Sequence, residues 1–357
     1  MSSFKQFSTA LEQASKSSTI DELYFLGAPH TPQSMSINQL ALEARSDDRT
    51  DNKGTSEILF LDQTCPVDAF ALLAQKLGET NSELYSLKRK TITESPDLQA
   101  QCWVMNCSLA ASDMDYKGLI AQTIDELERI SSSGAEHLDI VLIDNPALHS
   151  TIKLACFDMD STLIKMEVID ELARYAGIGD QVSQITERAM RGELDFKESF
   201  TARLGLLNGL RAEVIEEIKQ SLPVMEGAVL LMAGLKRRGV VTMIFSGGFD
   251  VFAQHLAKSL GMQSFHANTL EVHDGVLTGA VHPPVVDADL KRALLRRYSG
   301  ELRLSAEQTL AVGDGANDLK MLGAAGLGVA YRAKPIVRQQ AQVAISKNDL
   351  SSILYLL

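Results

Sequence analysis

The chain has 357 residues, enough for two domains, and a formal net charge of −12. That charge argues against nonspecific binding to nucleic acid or to an anionic membrane surface, while a locally cationic site can still take a small anionic substrate. With 45% hydrophobic and 22% charged residues the composition is that of a globular protein, and no apolar stretch approaches the length of a membrane span.

In chain order, residues 1–54 read as a polar N-terminal extension or linker, with helical periodicity from Phe4 to Ala14 and a solvated run from Ser46 to Gly54. Met1 to Ala10 lacks the apolar core of a signal peptide. Four cysteines without metal-type spacing complete the expectation of a cytoplasmic protein.

Residues 55–150 read as a small α+β unit. Glu57 to Leu61 is a short strand, and Val67 to Leu77 a helix stopped at Gly78. Leu84 to Thr93 and Gln101 to Leu109 are strands that pair across Ser95-Pro96-Asp97. Tyr116 to Ile130 is an amphipathic helix and Leu138 to Ile143 a last strand. The order β-α-β-β-α-β predicts a ferredoxin-like sandwich. It is similar to the small ACT-like regulatory domains of amino-acid enzymes, so the expected roles are binding a small-molecule regulator or forming a homodimer.

From Lys153 onward strands and helices alternate, predicting a parallel α/β sheet over residues 151–357. The strands are Lys153 to Phe157, Val240 to Phe245, Thr309 to Val312 and Leu327 to Ala330. An insertion over about 166–223 is too long for a simple crossover and reads as a helical cap. One cap helix follows Asp195, with Glu198 three residues on, and another runs from Arg211 to Leu222, stopped by Pro223. Asp274-Gly275 predicts a hairpin within Asn268 to Val281. Helices are expected at Ala288 to Arg297 and Leu319 to Ala325.

Chemistry concentrates where apolar strands stop at acids. Asp158 and Asp160, two apart, can converge on one site as the chain leaves the sheet. Paired carboxylates repel, and a divalent cation removes that cost. Asp314 ends a second strand between two glycines, with Asn317 and Asp318 just beyond. One aspartate after a strand is ordinarily a helix cap or a turn residue; two such strand ends in one sheet point to a site. Ser246, Gly247 and Gly248 follow a third strand, where backbone N–H groups and a hydroxyl can cradle phosphate oxygens.

These segments resemble the haloacid-dehalogenase superfamily of phosphotransferases, and within it most closely the phosphoserine phosphatases. The resemblance rests on Asp158-Met-Asp160-Ser-Thr162, Glu167, the run Glu187 to Phe196, Arg203, Phe245-Ser-Gly-Gly248, Lys291 and Gly313-Asp-Gly-Ala-Asn-Asp318. It covers about Lys153 to Val343. It implies a Rossmann-like sheet with an inserted cap, and hydrolysis of O-phospho-L-serine as the last step of serine biosynthesis. Asp158 would be the nucleophile and Asp160 the general acid and base. Mg2+ would be held by the Asp158 and Asp314 side chains and the Asp160 carbonyl, with Asp318 holding waters or Lys291. Lys291 would neutralise phosphate charge, and Ser246, Gly247 and Asn317 would contact the substrate. In the cap, Glu167 would bind the substrate ammonium and Arg203 its carboxylate. Water and an alcohol such as homoserine would use the same residues as phosphoryl acceptors.

Overall fold

The computed structural model describes residues 22–26, 41–43, 56–61, 72–73, 76–77, 83–95, 98–108, 115–130, 138–143 and 151–357. The chain divides into two compact units. One comprises Met1–Ser150 with Ile345–Asn348 and Ser352–Leu357; the other comprises Thr151–Ala344 with Asp349–Ser351. No helix among the described residues is long and apolar enough to cross a membrane.

The first unit contains a six-stranded sheet in the order β2-β1-β4-β5-β3-β6. Its strands are β1 (Glu22–Leu26), β2 (Ala41–Glu43), β3 (Ser56–Leu61), β4 (Glu83–Ser95), β5 (Leu98–Ser108) and β6 (Asp139–Ile143). Every pairing in it is antiparallel. Helix α1 (Tyr116–Ile130) buries Tyr116, Ile120, Thr123 and Leu127, the three-and-four spacing of one helical face. Leu72, Leu73, Lys76 and Leu77 are helical, within the span the sequence predicts.

Within the polar stretch 1–54 the described residues form β1 and β2, which pair with each other, and β1 pairs with β4. These strands of five and three residues are too short for a period-2 pattern to stand out from a polar surrounding. The Phe4 to Ala14 helix and the Ser46 to Gly54 run lie outside the described residues.

The second unit is built on a seven-stranded sheet in the order β10-β9-β8-β7-β11-β12-β13. The strands are β7 (Leu154–Phe157), β8 (Val241–Phe249), β9 (Ser264–His273), β10 (Val276–His282), β11 (Thr309–Gly313), β12 (Leu327–Tyr331) and β13 (Val343–Ile345). Strands β7, β11 and β12 are buried along their whole length, as parallel strands covered on both faces are. Phe157 stands level with Val312 of β11 and with Ile244 of β8, so β7 and β11 end side by side while β8 runs on past them to Phe249. Strands β9 and β10 form the predicted hairpin. Its turn residues Asp274 and Gly275 have φ of 49° and 79°, the left-handed pair that a two-residue turn of this kind requires.

Between β7 and β8 lies the cap, with α2 (Val168–Tyr175), α3 (Gly179–Met190), α4 (Phe196–Gly205) and α5 (Val214–Gln220). Helix α4 begins on a reciprocal capping box. The Glu198 N–H donates to the Asp195 carboxylate (2.8 Å), and the Asp195 N–H donates to Glu198 (2.9 Å). Helix α5 is shorter than expected because the chain before it pairs with β10. The N–H groups of Gly209 and Ala212 donate to the carbonyls of Leu277 and Gly275 (both 2.9 Å). Helices α6 (Ala228–Arg237), α7 (Asp250–Leu260), α8 (Ala288–Glu301), α9 (Leu319–Leu322) and α10 (Pro335–Gln340) complete the unit. Helix α9 is a single turn after a 3-10 turn at Ala316–Asp318. Gly326 must then meet the Ala306–Glu307 backbone, where an added Cβ would lie 2.4 Å from the Glu307 Cα.

Candidate active site

The site forms where β7 and β11 end, beside the bulge in β8. Asp158 follows β7 directly, and its N–H donates to the Val312 carbonyl (2.9 Å), which holds the residue against β11. Asp158 and Asp160 are 5% and 9% exposed. Met159 between them is buried, and its N–H donates to the Asp158 carboxylate (2.7 Å). Asp314 follows β11, and the Thr162 hydroxyl donates to its carboxylate (3.3 Å). The Asn317 amide lies 3.5 Å from the Asp158 carboxylate.

Lys291 projects from α8 and is fully buried. Its ammonium lies 2.8 Å from Asp158 and 2.7 Å from Asp318. Burial alone would lower its pKa; the two carboxylates outweigh burial and hold it charged. Its neighbour Arg292 is on the exposed face, paired with Asp289 (3.0 Å). Asp318 also accepts from the Gly315 N–H (3.0 Å), so it braces both the lysine and the turn that carries Asp314.

Strand β8 opens a bulge here. Four residue steps from Phe245 to Phe249 face two on β9, from His266 to Asn268. The extra length is Ser246-Gly247-Gly248, set beside Asp160. The buried Ser246 hydroxyl accepts from the Gly248 N–H (2.9 Å). Asn268 pins the bulge, donating to the Gly247 carbonyl (2.7 Å) and accepting from the Val286 N–H (2.8 Å). Gly248 has no room for a side chain, since a Cβ would lie 2.7 Å from the Asp160 carboxylate. Sequence reasoning placed Gly248 in a phosphate cradle but not against Asp160, and gave Asn268 and Thr162 no role. Nothing in a hairpin asparagine or a strand-end glycine announces a contact made by another element.

The cap meets the catalytic strand end at α2. The Val168 N–H, first in that helix, is directed at the Asp160 carboxylate (3.4 Å). Glu167 just before it accepts from the Ser161 hydroxyl (2.8 Å). Arg203 is on α4, half-buried, and its Nε donates to the Ser199 carbonyl of its own helix (3.4 Å). Burial raises the Asp170 carboxyl on α2, and the Arg203 guanidinium opposes that shift. Thus Asp158, Asp160, Lys291, Asp314, Asn317 and the Ser246–Gly247 bulge converge, with Glu167 at their rim. Arg203 is held within the cap.

The electrostatics fit a hard cation. One carboxylate oxygen from each of Asp158, Asp314 and Asp318 lies within 4.8 Å of the others. Burial, then Asp158 and Asp318, push the Asp314 carboxyl up to about 8. Burial, Glu167 and Asp158 raise Asp160 well above the usual carboxylate range. One buried ammonium does not balance this many acids. An oxygen-coordinated divalent ion would, and Asp158 and Asp314 offer it ligands.

Comparison with known proteins agrees with the geometry. Residues 152–326 match the haloacid dehalogenase-like hydrolase family. The phosphoserine phosphatase of Streptomyces coelicolor is 36% identical over 325 residues, which cover 91% of this chain and 76% of that protein. Phosphoserine phosphatase SerB2 of Mycobacterium tuberculosis is 45% identical over 222 residues, covering 62% of this chain and 54% of the relative. The crystal structure of a probable phosphoserine phosphatase from Vibrio cholerae superimposes with a TM-score of 0.65 at 32% identity. That match covers 84% of this chain and 86% of the other. With a parallel sheet that gathers acids at its strand ends, a helical cap, and identity of this extent, the chain belongs to the phosphoserine phosphatase family of haloacid dehalogenase-like hydrolases.

Proposed function

We propose that the protein hydrolyses O-phospho-L-serine to L-serine and phosphate, with Mg2+, through a phosphoryl group carried on Asp158. The observation that carries this reading is the division of labour between two neighbouring carboxylates. Asp158 is paired with the Lys291 ammonium (2.8 Å), which sets a positive charge beside the proposed nucleophile. Asp160 is raised by burial and by its acidic neighbours and is ready as an acid.

An Asp158 oxygen attacks phosphorus in line, and the bond from phosphorus to the serine oxygen breaks. Asp160 gives its proton to that oxygen, which leaves as the serine hydroxyl. Asp160 then takes a proton from water, whose oxygen attacks the phosphoryl group and frees Asp158. Lys291 neutralises charge on the transferring group. The Ser246–Gly247 bulge and the Asn317 amide offer donors to its oxygens. The Asp158 and Asp314 carboxylates and the Asp160 carbonyl would hold Mg2+, which when bound would supply further positive charge to the phosphoryl oxygens.

Recognition of the amino acid falls to the cap, with Glu167 for the ammonium and Arg203 for the carboxylate. The N-terminal unit carries none of these groups, and its role is regulatory or self-associating.

Phosphate release from a panel of phosphorylated amino acids and sugars, with and without chelator, tests the reading. Phosphoserine should lead the panel, and the activity should disappear with chelation and return with Mg2+. Asp158→Asn should fold and bind phosphate with no measurable turnover, since an amide is nearly isosteric but is not a nucleophile. A sugar phosphate leading the panel overturns the substrate, and normal turnover in undeamidated Asp158→Asn overturns the covalent step.

A further inference from the structure

We infer that Ser161 is a positioning residue for substrate recognition, holding the Glu167 carboxylate in the place where it meets the substrate ammonium. The inference deepens the proposed function and rests on Glu167 being the ammonium site.

Ser161 separates the proposed acid Asp160 from the rest of the cap entry. Its φ is 55°, in the left-handed region that a serine rarely occupies. The conformation is fixed from both sides. The Ser161 N–H donates to the Met166 carbonyl (3.2 Å), and Asp160 bridges to Ile164. That sharp turn brings the Ser161 hydroxyl back onto Glu167, six residues ahead, at 2.8 Å. Residue 167 stands at the start of α2 with extended backbone, and its side chain does not cap the helix. Its carboxylate is therefore oriented by the hydroxyl and not by its own helix. The next N–H, of Val168, is directed at Asp160. A single clasp of residues 160–168 thus sets the proposed acid and the proposed ammonium ligand relative to one another.

The Glu167 carboxyl is raised overall from its ordinary value, and the Ser161 hydroxyl is the largest influence opposing that rise. Packed protein around the Glu167 carboxyl raises its pKa, the Ser161 hydroxyl draws it back down, and Asp158 and Asp170 raise it while Lys334 lowers it. A hydroxyl donating to a carboxylate favours the anion, and the anion is the form that attracts an ammonium. Strain at a residue whose side chain serves a site is a known place for function. An ordinary turn at this position would use glycine or asparagine, which occupy the left-handed region at lower cost.

Ser161→Gly tests the inference because glycine accepts φ 55° while removing the hydroxyl. Activity is read on phosphoserine and on 3-phosphooxypropanoate, which keeps the carboxylate and phosphate and lacks the ammonium. On phosphoserine, kcat/KM should fall about three- to tenfold, mostly through KM, as loss of one orienting hydrogen bond would produce. On the analogue it should stay within about twofold. In a Glu167→Gln background the same change should have no further effect on phosphoserine, because the group it positions is already neutral. Ser161→Asn tolerates the backbone and restores a donor, so it should recover part of the preference. A wild-type protein that hydrolyses both compounds equally overturns the ammonium reading of Glu167 and this inference with it. A wild type that prefers phosphoserine, with Ser161→Gly variants that keep the preference or lose both activities in parallel, overturns the positioning role alone.

Discussion

At Gly248 a single methyl group would reach three side chains of the site. Built onto this backbone it would lie 2.7 Å from an Asp160 oxygen, 2.9 Å from the Met159 Cε and 3.1 Å from the Ser246 hydroxyl. Met159 can shift, but Asp160 and Ser246 are the groups proposed for proton transfer and phosphate contact. Gly248→Ala should therefore lower kcat on the order of 10- to 100-fold through misplacement of Asp160, with a thermal midpoint close to that of the wild type. Steady-state rates and a melting curve check it, and an unchanged kcat would show that the bulge gives way instead. A second expectation concerns the Asp314 carboxyl, whose folded pKa is about 8 against an ordinary 3.8. Folding binds its proton more tightly, so this group contributes stability that is complete below about pH 4 and is lost as pH rises toward 8. Chelated protein should melt at a lower temperature at pH 8.5 than at pH 6, and Mg2+ should raise the midpoint more at the higher pH. A chelated protein whose midpoint is flat or rising over that range contradicts the acid cluster as described. The acids themselves are legible in the sequence because apolar strands stop at them. The glycine contact is not, because it depends on how far β8 bulges toward β7.

Among elements, the cap helix that carries Arg203 owes its start to two residues. The Asp195 and Glu198 side chains each satisfy a backbone N–H that the first turn would leave unpaired. Asp195→Ala should cost on the order of 1 kcal/mol of stability. Because Arg203 belongs to the same short helix, the KM for phosphoserine should rise while activity on an aryl phosphate holds. Equal losses on both substrates would separate the capping box from recognition. This helix is legible because its signal is local: a capping residue, its partner three positions on, and ten residues of helix. Helix α5 is legible only in part. Pro223 marks where it must stop, but its beginning is set by Gly209 and Ala212 pairing with β10, more than sixty residues later in the chain. The β8 bulge fails for the same reason, being held by Asn268 on another strand. Local chemistry is written locally; register between distant strands is not.

For the molecule as a whole, the parallel sheet follows from the alternation of strands and helices, and the site from where apolar strands stop at acids. What the sequence does not announce is that the last residues group with the N-terminal unit. Ile345–Asn348 and Ser352–Leu357 belong with Met1–Ser150. Ile353, Leu354, Tyr355 and Leu356 are all buried. The polar anchor is Asp139, first residue of β6 and 6% exposed. Its carboxylate accepts the N–H groups of Ser346, Lys347 and Asn348, each at 2.9 Å, and the Asn348 amide at 3.0 Å. A carboxylate at the start of a predicted strand reads as a turn residue, so the anchor is invisible until its partners are seen. Removing residues 1–145 would thus spare every proposed catalytic group yet strip the partners from the C-terminal segment, and the fragment should be active but prone to aggregate. Asp139→Ala isolates the anchor without that exposure. It leaves three backbone N–H groups without their shared acceptor, and each unmet buried donor costs about 1–3 kcal/mol. Water can reach part of this half-buried loop, so the loss should lie near the lower end of that range for the whole set. The thermal midpoint should fall by several degrees, while kcat and KM at 25 °C stay at wild-type values because no catalytic group is touched. Hydrogen exchange should quicken at residues 346–348 before it quickens in β7 or β11. Unchanged exchange in that loop would mean that the Asp139 carboxylate does not hold it. A fall in kcat with the midpoint unchanged would mean that the anchor acts on the active site and not on stability.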